Sequence, residues 1–317
     1  MNRDRLIMLI AGIVLAGAFA VLALLNDKFL QLLLAGLTNG SIYALIAIGF
    51  TIIYNATDVI NFAQGEFAMM GALLAVALVG PSVGLPIWLA AILAVAAVTI
   101  ISGLFEMSTF HLIKTPSVIN MIIITIGASI LFKGVAMKLS HKQDFPMKAF
   151  SGNEPIQLGS ATITPQYLWV IGVTLVAVII LHEFYSRTVT GKALRACAHN
   201  PNASLLMGIS VRRMVLFTFA LSGALGAIAG VVITPIYIAN YLMGKYIGLK
   251  GFCAAILGGI GSIYGAVVGG LAIGVLEALF AGYLSSGYKD ALAFVVLLLV
   301  LFVRPQGFLG EPEQERA

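Results

Sequence analysis

The chain has 317 residues, of which 60% are hydrophobic and only 10% charged, with a mean hydropathy of +1.04. Soluble globular domains carry about 25% charged residues, so a soluble fold is excluded. The net charge of +5 does not point to nucleic acid, because the basic residues sit in connections between apolar runs and form no aromatic-interleaved stripe.

Successive runs of about 20 apolar residues specify helices rather than a barrel. The predicted spans are 6–25, 30–54, 65–79, 86–105, 117–137, 167–184, 214–233, 249–257, 263–284 and 291–303. The expectation is an all-α, polytopic membrane protein with about 8–10 spans, forming one transmembrane domain over 1–317. Ala18-Phe19-Ala20 mimics a signal cleavage site, but the apolar run continues to Leu25 and is long enough to span, so it is read as the first helix.

The runs at 65–79 and 249–257 are short for a bilayer and read as half-helices. Before the first lies NATDVINFAQGE, 55–66, which brings Asp58, Asn61, Gln64 and Glu66 between two apolar runs. Polar groups at that depth need partners. They either line a conduction route or tie together backbone groups at a helix break. After the second run comes GGIGS, with Gly258, Gly259 and Gly261, a break tolerated at membrane depth only inside protein or beside a watery path. Gly226/Gly230, Gly265/Gly269 and Gly270/Gly274 put small residues on single helix faces, mainly a packing signal.

Charges inside or near spans are Glu106, Lys133 and Glu277; each needs a partner, and Lys133 is a candidate mate for a glutamate. Three scattered glutamates are weak support for a proton relay. His111, His141, His182 and His199 have no metal-ligand spacing, and Cys197 and Cys253 give no disulfide framework. No GxxxxGK[ST] phosphate loop occurs, and no catalytic set has supporting context, so neither an ATPase site nor an enzyme is expected in this chain.

Two long connections remain. Lys138–Pro165 contains Gly and three prolines and reads as an ordered outer loop. Residues 188–213, TVTGKALRACAHNPNASLLMGISVRR, hold Lys192, Arg195, Arg212 and Arg213 and no acidic residue. Such density of positive charge stays cytoplasmic. That parity also puts Arg3, Arg5, Lys114 and Arg304 inside, and Lys138, Lys142, Lys148, Lys245, Lys250 and Lys289 outside. Within the basic stretch Asn200 suits an N-cap, Pro201 the first helical position and Gly208 the residue past the end. The predicted short helix presents Leu205, Leu206 and Met207, with Ala203 leaving room for close approach. The tail, 304–317, reads as short, polar and frayed.

Four stretches carry a family resemblance: GLTNGSIYALIAIGFTIIYNATDVINFAQGEFAMMGA from Gly36, TGKALRACAHNPNASLLMGISVRR from Thr190, FALSGALGAIAGVV from Phe219, and AAILGGIGSIYGAVVGGLAIGVLEAL from Ala254. The chain resembles the LivH-type permease subunit of branched-chain amino acid ABC importers. Gln64 stands where histidine is commoner in that family's NFAHGE pattern, which argues against a protonatable group being needed there. The closing RPQG, 304–307, also looks like the family's end. The resemblance implies a heterodimer with a LivM-type sister permease, two cytoplasmic ATPase subunits that bind the ATP, and a periplasmic substrate-binding protein. It gives the chain no cofactor of its own. Combined with the capping pattern, it makes Asn200, Pro201, Ala203, Leu205, Leu206, Met207 and Gly208 the candidate ATPase-coupling helix, while the helix breaks make Asn61, Gln64, Glu66, Gly258, Gly259 and Gly261 the candidate substrate-path residues, as lining or as structural ties. Relatives of the family carry urea, amides and other neutral amino acids. A stand-alone transporter driven by ions through Glu66 or Glu277 is the alternative of a different class.

Overall fold

A computed structural model describes residues 27–109, 117–152, 154–158 and 161–310. The predicted span 6–25 and Lys114 lie outside these residues. The elements are α1 (Asp27–Thr57), α2 (Gln64–Val79), α3 (Ile87–Thr109), α4 (Val118–Leu139), β1 (Ile156–Leu158), β2 (Ala161–Ile163), α5 (Pro165–Arg187), α6 (Val189–His199), α7 (Pro201–Leu206), α8 (Val211–Ile233), α9 (Met243–Gly258), α10 (Ile263–Tyr283) and α11 (Lys289–Val303). Six of them, α1, α3, α4, α5, α8 and α10, are long and apolar enough to cross a membrane. With 16 residues, α2 reaches about 24 Å, less than the ~30 Å hydrocarbon layer.

The centre is built by α1, α8 and α10, with α2 and α9 wedged between them. The glycines explain how. A Cβ on Gly274 of α10 would overlap the backbone of Gly40 in α1, and one on Gly230 of α8 would overlap Ala68 in α2. Backbones in direct contact gain dispersion and need no apolar side chain between them, which suits a solvent as apolar as leucine. The peripheral helices α3, α4, α5 and α11 expose Ile, Leu and Val, as a lipid-facing surface requires.

The loop 138–165 is ordered, as its prolines suggest. β1 pairs antiparallel with β2, Ile156 opposite Ile163. Phe145 bridges Ala239, which places the α8–α9 connection at the same end. Gln166 ties this end to the core: its Oε1 accepts from Phe150 N at 3.2 Å and its Nε2 donates to Val232 O at 2.7 Å. Helix α5 runs away from this loop, so the basic stretch lies at the opposite end. The second helix break lies there too, because Tyr264 Oη sits 2.7 Å from His182 Nδ1 near the end of α5.

Three sequence expectations change. The short run at 249–257 is the end of a longer helix that starts at Met243, so Lys250 is two turns deep and buried rather than in an outer connection. The basic stretch holds two helices, not one. The tail is not frayed over 304–310: Phe308 N and Leu309 N donate to Leu257 O and Gly258 O, each at 2.9 Å. Those carbonyls end α9 and have no helical partner, so the tail caps the helix.

Candidate functional site

Helix α1 ends where Asp58 adopts φ +54°. The chain then turns through 59–63 before α2 begins. Asn61 organises the turn: its Oδ1 accepts from Ala63 N at 3.1 Å, and its carbonyl accepts from Gln64 N at 3.1 Å. This is the local side-chain-to-backbone bonding that favours Asn at helix starts. Gln64 Nε2 donates to Ser222 O at 3.1 Å, and Ser222 Oγ lies 2.6 Å from Gln64 Oε1. A side chain in the break thus fastens α2 to α8. Glu66 Oε1 accepts from Ser129 Oγ at 3.0 Å, with Lys133 of the next α4 turn in electrostatic range. All three polar residues are buried. Asn61 Nδ2 and Glu66 Oε2 have no hydrogen-bond partner among the described residues.

The second break, between α9 and α10, turns on Gly259 (φ +102°) and Gly261 (φ +101°). Both conformations are costly for any residue with a Cβ. At Gly259 a Cβ would also strike Gly310 of the tail. Gly258 packs on Gly265 across the turn, and Ser262 Oγ starts α10 by accepting from Gly265 N at 3.0 Å. The two breaks meet: Asn55 Nδ2 donates to Gly261 O at 2.9 Å. A narrow crevice runs between them, lined by Phe50, Thr51, Tyr54, Ile60, Phe252 and Ile260. Its walls are almost wholly apolar.

At the basic end, Asn200 Oδ1 accepts from Ala203 N at 2.9 Å, Pro201 opens α7, and Gly208 follows it with φ +80°. Ser204 is buried and fixes the helix, while Leu205, Leu206 and Met207 are 56%, 89% and 83% exposed. Those values leave three large apolar side chains standing clear of the body. The preceding α6 buries Gly191, Leu194 and Cys197 and exposes Lys192, Arg195 and His199. Its signal was the three-residue spacing of its buried positions, in a segment too polar to count as a span. The structure therefore joins the breaks through Asn55 and Gly261, sets Gly65 and Glu66 against Gly244 and Gly248 of α9 rather than against 258–261, and keeps 200–208 as a surface feature.

Sequence reasoning missed one cluster. Glu277 is held by Lys250, Nζ to Oε1 at 2.6 Å, and by Tyr43, Oη to Oε2 at 2.8 Å. Lys250 also reaches Asp290 Oδ1 at 2.7 Å. Buried charges at membrane depth require such mates. Lys133, read from sequence as a candidate mate for a glutamate, lies within electrostatic range of Glu66.

Interrupted helices that meet inside a multi-pass helical body, with their polar groups turned inward, define a membrane permease. The chain belongs to the family described as branched-chain amino acid transport system / permease component, whose model matches residues 32–301. It is similar to the high-affinity branched-chain amino acid transport system permease protein LivH of Salmonella typhimurium strain LT2, with 36% identity over 300 residues, 91% of this chain and 97% of that protein. The LivH protein of Escherichia coli K12 is 35% identical over the same shares. The BraD permease of Pseudomonas aeruginosa is 37% identical over 306 residues, 91% of this chain and 98% of that protein. The family read from the sequence motifs is the family found.

Proposed function

We propose that this permease carries branched-chain or other small neutral amino acids across the inner (cytoplasmic) membrane by alternating access, as one subunit of an ABC importer. A LivM-type sister permease completes the passage. Two cytoplasmic ATPase subunits bind and hydrolyse ATP, and a periplasmic binding protein delivers substrate. In this reading the chemistry of ATP belongs to the partner subunits, and this chain supplies the passage. Residues 188–213 face the cytoplasm and 138–165 the periplasm.

The observation that carries this reading is α7. A capped helix with three exposed apolar side chains beside a basic rim suits a protein groove better than water. It stands at the end of the molecule where the second break lies and packs on α6 and α8, so a push on α7 acts first on α8. Asn61, Gln64 and Glu66 border the route from the other break. The apolar crevice between the breaks, about 10 Å³, is closed to a substrate in this structure and has to widen before an aliphatic side chain passes.

Ala203→Glu tests the assignment in the assembled importer. A charge at the groove contact loses its water without gaining a partner. Stimulated ATP hydrolysis and uptake are expected to fall together, with poor co-purification of the ATPase subunits and normal membrane insertion. Full association with normal coupled transport in that variant would move the coupling site elsewhere, first to 107–116.

A further inference from the structure

We infer that Asp290 is the releasable arm of a clamp on Lys250, and that through this clamp α11 sets the position of the second helix break. The inference rests on reading that break as part of the substrate route. Lys250 holds two carboxylates of unequal standing. The Glu277 side chain is 5% exposed, sits on the central helix α10, and has its second oxygen occupied by Tyr43. The Asp290 side chain is 55% exposed and sits in the first turn of the peripheral α11. A buried ion pair is costly to part, because each charge is left without solvent. A half-exposed carboxylate is rehydrated when it lets go, so its bond is weak and screened by salt. Lys250 therefore stays with Glu277 while Asp290 engages and releases.

The far end of α11 makes the release consequential. This helix packs on α9 and α10 and buries only Ala293 fully. It then delivers the tail, whose Phe308 and Leu309 amides cap Leu257 and Gly258 and whose Gly310 lies against Gly259. Helix α11 and its tail are thus fastened to α9 at two points, by the ion pair to Lys250 at the middle of α9 and by two backbone hydrogen bonds at the break. Along α9 the two fastenings lie two turns apart, about 11–12 Å between Lys250 and the Leu257 and Gly258 carbonyls. A rigid element with two attachment states carries coupling between distant sites. Asp290 and Lys250 are positioning residues in this scheme, since neither touches the break.

Hydrogen–deuterium exchange on the full chain in lipid nanodiscs tests the clamp without any transport assay. In Asp290→Asn, exchange at Phe308 and Leu309 is expected to rise several-fold while α1 and α10 keep wild-type protection. Asp290→Glu should restore it, and high salt on the wild type should mimic the loss. Unchanged exchange over 304–310, or equal acceleration throughout the chain, overturns the clamp. Uptake by the assembled importer then separates the two ideas. Slowed uptake in Asp290→Asn, rescued by Asp290→Glu, supports the inference in full. Altered exchange with unchanged uptake keeps the clamp and removes the second break from the route.

Discussion

At the scale of single residues, the energetics are set by polar atoms taken out of water. Lys250→Met strands the Glu277 carboxylate between α1 and α10. It is expected to cost about 3–5 kcal/mol, read as a lower unfolding temperature in detergent. The double variant Lys250→Met with Glu277→Met removes both charges and should recover most of that loss. Ser222→Ala deprives Gln64 Oε1 of its 2.6 Å donor and is expected to cost about 1–3 kcal/mol by the same measurement. Gln64 was legible as a residue needing partners, because a polar group between two apolar runs announces the need. Lys250 was not. Its depth depends on where α9 starts, and Met243–Leu249 carries too much glycine and charge to read as the first two turns of a span. Tyr43 was invisible for a different reason: a phenol inside an apolar run looks like ordinary core until its hydroxyl is seen to have a carboxylate.

At the scale of elements, spans were the easiest feature to read and contacts between them the hardest. Membrane helices must satisfy their own backbone, so length and hydropathy decide their existence, and α1, α3, α4, α5, α8 and α10 all follow from that rule. Which glycine meets which backbone depends on three-dimensional register, so Gly40 opposite Gly274 could not be read from the chain. Gly274→Leu is expected to cost about 1–3 kcal/mol or more by overpacking and to lower the yield of folded protein. Gly134→Ala, where a Cβ meets nothing within 4 Å, should leave yield and thermal stability unchanged. The caps of α7 were legible because Asn, Pro and Gly at those offsets each answer a local backbone need. Asn200→Ala is expected to loosen that helix by about 1 kcal/mol, seen as faster amide exchange over 201–207 with the spans unaffected.

At the scale of the whole molecule, the two ends differ in kind. One carries a folded hairpin loop around Phe150, Trp88 and Trp169; the other carries α6, α7, the basic residues of 187–213 and the docked tail. The proposed orientation, with the second end in the cytoplasm, rests on its density of positive charge. An impermeant thiol reagent applied to intact cells should therefore label a cysteine placed at Lys142 and spare one placed at Leu206. Labelling in the reverse order would invert the molecule in the membrane. The docked tail also has a meaning for biosynthesis. Residues 308 and 309 leave the ribosome about fifty residues after the Leu257 and Gly258 carbonyls they satisfy. Until then those groups have no protein donor from the tail, and the turn between α9 and α10 is unfinished. Synthesis of residues 308 and 309 is thus the event that closes the helix break. A product cut short after α11 would lack both donors and leave the Leu257 and Gly258 carbonyls uncapped.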